Sequence, residues 1–233
     1  MTNRSGRFLP WFTALLAACS FGDGPGKRGE LGNDRFFYAC VDDADAMCDG
    51  ADLELEPLYG MPRIALDSKF GIDTEGVTTE ARGANDRVTE EQSLDGVRAF
   101  TAKVPGWTTI MSRTYDEEAV DLIHLLVVEA ASIKVSERDV GADDWRAVGE
   151  TALLVDDDRE IRLAPYDAEN NPLAGGLAIE WSAEPEDIVD ILPETGNNVV
   201  TVRPLASGAV VLTAKVGKDL TATINLDVTG QGG

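Results

Sequence analysis

Leu220, Ala222, Ile224, Leu226 and Val228 alternate with Thr221, Thr223, Asn225 and Asp227. A period of two puts the apolar set on one face of a strand and the polar set on the other, so 220–228 reads as half-buried β-structure. Shorter runs of similar character stand at 97–104, 107–112, 199–203 and 209–216, separated by turn residues. Residues 116–129 (DEEAVDLIHLLVVE) suit either an amphipathic helix or a strand. Convincing helical periodicity is absent elsewhere.

An internal repeat decides the ambiguous stretch. Displacing the chain by 102 residues lays Gly106 on Gly208, Val97 on Val199, Phe100 on Val202 and Ile110 on Leu212. The same displacement lays Val120 on Ala222, Leu122 on Ile224 and Leu126 on Val228. Because 220–228 is a strand by its own alternation, its counterpart 118–127 is expected to be one as well. The repeated unit is strand, Gly turn, strand, turn, strand, with turn signals about every ten residues. That pattern predicts an all-β chain of two tandem sandwiches, 34–130 and 131–230.

The first 19 residues read MTNRSGRFLPWFTALLAAC. Arg4 and Arg7 precede an apolar run from Phe8 to Ala18, which is too short for a bilayer needing roughly 20 apolar residues. The ending Leu16-Ala17-Ala18-Cys19 resembles the lipobox of bacterial lipoprotein signal peptides. The resemblance implies cleavage after residue 18, lipidation of Cys19 and a protein tied to the bacterial cell envelope without spanning a membrane. Ser20 in place of Asp, by the same analogy, implies the outer membrane. Residues 19–33 then form the lipidated Cys and a glycine-rich tether with a reach of roughly 20 Å.

The second copy carries a further likeness. Val148-Gly149-Glu150-Thr151-Ala152-Leu153, Asp167 to Leu173, Ile179-Glu180-Trp181-Ser182 and Gly208 to Ala214 follow in order. This set resembles the bacterial immunoglobulin-like domains of group 2 type, implying immunoglobulin-like sandwiches. The first copy shares only its latter half, through Phe100 to Ala102 and Pro105 to Ile110. Trp181 is expected between the sheets, and Gly106 and Gly208 at turns that other residues adopt at a cost.

Composition narrows the chemistry. The 42 acidic residues outnumber 20 basic ones for a net charge of −22, and losing Arg4 and Arg7 with the leader leaves 18 basic residues and a net of −24. Such a surface repels nucleic acid. With Cys19 assigned to lipid, Cys40 and Cys48 remain as an even pair. Export favours a disulfide hairpin there, worth roughly 2.5 kcal/mol by loop entropy, over a zinc site, for which the spacing is poor. The single histidine, His124, falls opposite Leu226 in the repeat and reads as structural. It argues against serine triads and histidine-rich metal sites.

One acidic stretch resembles a calcium loop. Started at Asp45, it has acids at positions 1 and 5 (Asp45, Asp49), Gly50 at 6 and Glu56 at 12, with Asp43 just before. It departs at Met47 and Asp52, and a bridge at Cys48 would distort it. A solvated acidic hairpin is the simpler reading; Asp156-Asp157-Asp158 reads likewise as a charged turn. The expected role is a non-enzymatic, membrane-anchored structural, adhesive or spacer module that needs no cofactor. Partners would be the membrane through the lipid, and an envelope or surface protein or glycan. The alternative is a calcium- or partner-binding component of an envelope complex.

Overall fold

The structure is a computed structural model describing residues 26–48, 60–76, 79–91, 97–142, 144–148, 153–193 and 196–230. The leader, Cys19, Asp49, Glu56 and the segment 149–152 lie outside the described residues. The described chain is all-β. The first body contributes β1 (Gly26–Arg28), β2 (Arg35–Ala39), β3 (Arg63–Ala65), β4 (Lys69–Thr74), β5 (Thr79–Gly83), β6 (Val88–Glu90), β7 (Arg98–Ala102), β8 (Gly106–Thr114) and β9 (Ala119–Val128). The second contributes β10 (Ser132–Asp139), β11 (Arg146–Ala147), β12 (Leu153–Leu154), β13 (Arg159–Tyr166), β14 (Leu173–Ala174), β15 (Ile179–Glu184), β16 (Val189–Leu192), β17 (Val199–Pro204), β18 (Gly208–Val216) and β19 (Leu220–Thr229).

Each body is a sandwich of two sheets. In the first, β1-β2-β4-β7-β6 faces β3-β9-β8-β5 across Phe36, Phe70, Ile72 and Phe100 on one side and Ile64, Ile110, Ile123, Leu125 and Val127 on the other. Phe70 and Phe100 stack at the centre with ring centroids 5.5 Å apart. In the second, β11-β10-β13-β17-β16 faces β12-β19-β18-β15, and Trp181 fills the space between them. Its indole N–H donates to the Asn197 carbonyl at 3.2 Å, satisfying the one polar atom that burial would strand. Gly106 and Gly208 open the repeated hairpins at φ 107° and 155°.

The repeat holds, with a slip. In β8 and β18 the inward positions agree at a displacement of 102: Ile110 matches Leu212. In β9, however, Asp121, Ile123, Leu125 and Val127 are the buried residues, matching β19 at a displacement of 101. The pairing explains it. Ser112 faces Asp121 but Arg113 faces Ala119, so Val120 is an extra, bulged residue. One inserted residue turns every later side chain to the opposite face. His124 therefore points outward and does not occupy the place of Leu226, and an acid, Asp121, enters the interior.

Residues 26–33, expected in the tether, are instead built into the fold. β1 pairs with β2, Gly26 opposite Phe37. The turn that follows wraps the Asp121 carboxylate, which accepts the N–H groups of Leu31 (2.8 Å), Asn33 (2.7 Å) and Asp34 (2.9 Å). The Gly29 main chain lies so close that a Cβ there would collide with this carboxylate. Glycines in the sequence signalled flexibility, whereas here they permit close approach.

The boundary between the bodies is crossed. Only 129–131 join β9 to β10, but β14, from the second body, adds parallel to β3 of the first. Lys69 and Gly176 exchange backbone hydrogen bonds at 2.9 and 2.8 Å. Leu173 packs into the second core while its neighbour Ala174 packs into the first. Gly175, between this pair and Gly176, sits at φ 99° with Ser68 where a side chain would go. Two ion pairs bind the seam further: Arg63 to Asp167 at 2.7 Å and Lys218 to Asp67 at 2.6 Å.

Candidate functional site

Cys40 and Cys48 are joined, with Cα atoms 5.7 Å apart. They close a loop of turns following β2 where the sequence suggested paired strands. That loop belongs to the seam. Ala44 is part of the second body's core, the Asp43 carbonyl accepts the Asn198 N–H at 3.4 Å, and Asp42 fills the space beside Gly176. The bridge thus constrains a segment of the first body that the second body packs upon.

Asp45, a calcium candidate by sequence, faces inward and is 1% exposed. Its carboxylate accepts the Tyr38 hydroxyl and the Met47 N–H. Burial raises the Asp45 carboxyl above its ordinary range, and burial followed by the Asp45 charge raises the Tyr38 hydroxyl well above its own. The register of the loop, with Asp45 three residues before the bridge, turns this acid toward Tyr38 in place of solvent. Of the other three acids, Asp43 lies in the same loop, and Asp49 and Glu56 fall outside the described residues. Among the described residues, no three His, Cys, Asp or Glu side chains gather as a metal would require.

Two other acids serve as turn-builders. Asp167 accepts N–H groups of Glu169 and Asn171 and the Asn171 amide while pairing with Arg63. Burial opposes its ionisation, but Asn171 and Arg63 outweigh it and lower its carboxyl. At the acidic triplet, Asp158 pairs with Arg203 at 3.1 Å, and Asp156 adopts φ 69° in the turn.

The tryptophans of the described residues occupy three different settings. Trp181 is interior, and Trp145 packs against the guanidinium groups of Arg138 and Arg162, at 4.4 and 4.3 Å from the ring centre. Trp107, on the outer face of β8, is 56% exposed. With His124, Lys27 and Glu30 it lines an open cleft of about 360 Å³. His124 Nδ1 lies 2.8 Å from the Thr109 hydroxyl, and its Nε2 lies 3.5 Å from the Glu30 carboxylate. The one-residue bulge in β9 is what brings His124 to this face, and the folding-back of 26–33 brings Lys27 and Glu30. In the sequence Trp107 stands only as part of the predicted strand 107–112, and Lys27 and Glu30 only as residues of the predicted tether. A signal existed: at the repeat displacement, Trp107 falls on Ala209, an aromatic against a methyl at an outward position.

No protein-family model matches the chain, and no curated protein matches it. Solved structures with similar strand arrangement include domains 4 and 5 of the S-layer protein SbsC, at 16% identity and a TM-score of 0.32 over 66% of this chain and 78% of that one. The Escherichia coli adhesin FdeC aligns at 17% identity and 0.30, covering 73% of this chain and 62% of its own. A glycosyl hydrolase family 2 member from Bacteroides cellulosilyticus aligns at 14% and 0.31 over 70% of this chain and 23% of that one. A strand arrangement shared at such scores carries no shared role.

Proposed function

We propose that this chain is a lipid-anchored, non-catalytic structural or adhesive module of the bacterial cell envelope, built of immunoglobulin-like sandwiches. The observation that supports it best is the seam. A strand of one body completes a sheet of the other, and a disulfide-braced loop packs beside it, so the pair resists bending at the short 129–131 junction. A spacer needs that property. The anchor rests on Leu16-Ala17-Ala18-Cys19, and β1 starts at Gly26, seven residues on and so at most about 25 Å from Cys19. Lipid chains at that point would hold the sandwiches close to the headgroups.

Fractionation of the expressing cells tests the anchor. The native protein is expected in the membrane fraction and resistant to high salt, and Cys19→Ala is expected in the soluble exported fraction. An unchanged distribution would refute the lipid. The alternative, a partner-binding member of an envelope complex, gains support from the exposed cleft around Trp107.

A further inference from the structure

The two bodies repeat one hairpin, and this allows an internal control. In the first, the outward pairs across the hairpin are Trp107 with Leu126, Thr109 with His124 and Met111 with Leu122. In the second, the corresponding pairs are Ala209 with Asp227, Val211 with Asn225 and Thr213 with Thr223. The second face is mostly small, polar or charged, with Val211 its one larger apolar residue among these pairs. The first carries an indole, two leucines and a methionine at the same positions; the leucines and the methionine are half-buried, and the Trp107 indole is the exposed group among them. The segment 26–33 lies along this hairpin, with the Glu30 N–H donating to the Leu122 carbonyl at 2.9 Å, and leaves the Trp107 ring accessible.

The cleft on this face has a specific chemistry. The wall is a flat, accessible ring. Around it stand an ammonium (Lys27), a carboxylate (Glu30), an imidazole (His124) and a hydroxyl (Thr109). Among the described residues the rim carries one cation and one anion, so neither sign dominates it on a protein of net charge −22. Donors and acceptors close to an indole complement a polyol: the C–H face of a sugar ring lies on the electron-rich ring face while its hydroxyls meet the rim. A volume of about 360 Å³ is at the small end of ligand sites, suited to one sugar ring and part of the next.

We infer that the Trp107 cleft binds a neutral pyranose unit of a glycan, stacked on the indole and hydrogen-bonded by Glu30, His124 and Lys27. This rests on the adhesive half of the proposed function and gives it a ligand class; it stands independently of the lipid on Cys19.

The full chain is titrated with neutral trisaccharides of N-acetylglucosamine, glucose, galactose and mannose, and with a glucuronic-acid trisaccharide. Saturation-transfer NMR and tryptophan fluorescence report binding. At least one neutral sugar is expected to bind, and the acidic one more weakly. Trp107→Ala is expected to weaken binding about tenfold or more, with Trp107→Phe retaining part of it. As the side chain is mostly in solvent, both variants should keep the native melting profile. Absence of binding by every neutral sugar, undiminished binding in Trp107→Ala, or preference for the acidic sugar would each overturn the inference. Photo-crosslinks from this face to an envelope protein, without sugar binding, would make it a protein-docking surface and equally overturn it. None of these results alters where Cys19→Ala fractionates, so the two proposals fail separately.

Discussion

Asp121→Asn is expected to lower stability at neutral pH by roughly 3 kcal/mol, a drop of roughly 10 °C in melting midpoint for a chain of this size. The carboxylate holds three backbone N–H groups of the 31–34 turn and that of Leu122, and is 1% exposed. An amide turns one acceptor into a donor facing those same N–H groups and removes the charge that strengthens the bonds. The effect carries a pH signature. Burial alone would push the carboxyl up, but the N–H groups of Leu31, Asp34, Leu122 and Asn33 outweigh it and hold it below its ordinary value. A carboxyl lowered by folding contributes stability that is complete above its unfolded pKa, about 3.9, and is lost as pH falls through the folded one. Melting curves of wild type and variant from pH 7 to 2.5 should therefore converge in acid; a gap constant with pH would show that shape, not charge, sets the cost. Asp45, raised by burial, has the opposite sign. Its contribution is present at low pH and is lost as pH rises through its folded value.

The second large effect concerns Glu137. It follows Ile133 and Val135 on the inward side of β10, and Arg159 precedes Ile161 and Leu163 on the inward side of β13. Both are nearly sealed from solvent, 1% and 2% exposed, and their charged groups meet at 2.9 Å. Arg146 approaches the same carboxylate at 3.2 Å, and Asp139 lies 3.1 Å from the Arg159 Nε. Removing Glu137 leaves the buried Arg159 only the half-exposed Asp139 and Asp157 at its edge, so Glu137→Ala should cost roughly 3 kcal/mol. Replacing both, as Glu137→Leu with Arg159→Met, should cost less than the single change, because a well-packed apolar pair avoids the desolvation altogether. Urea midpoints of the single and double variants decide this. A double variant weaker than Glu137→Ala would mean the pair contributes more than its burial costs.

These two acids also mark what the sequence disclosed. Strands such as β19 were legible because five apolar residues alternate without interruption, and Trp181 was legible as core because it sits on such a strand. β9 was legible as a strand through the repeat, but its facing was not. The bulge at Val120 adds one residue where no glycine or proline announces it, and a displacement of 102 sets Asp121 on the polar Thr223 of β19. Glu137 and Arg159 were equally hidden, since their meaning depends on each other across 22 positions. The seam left less trace still. β14 and β3 pair over two residues each, about 110 apart in sequence, and so short a match has no periodicity to detect. Cys40 and Cys48 were legible as a pair by parity, but not the packing of their loop against the second body. The Trp107 cleft is assembled from β1, the turn after it, β8 and β9, and required the fold.

Intact-mass analysis of protein purified from envelope membranes should give a polypeptide beginning at Cys19, heavier than its sequence by a lipid carrying two or three acyl chains. A mature protein cleaved elsewhere, or one beginning at Cys19 with an unmodified thiol, would contradict the lipid anchor.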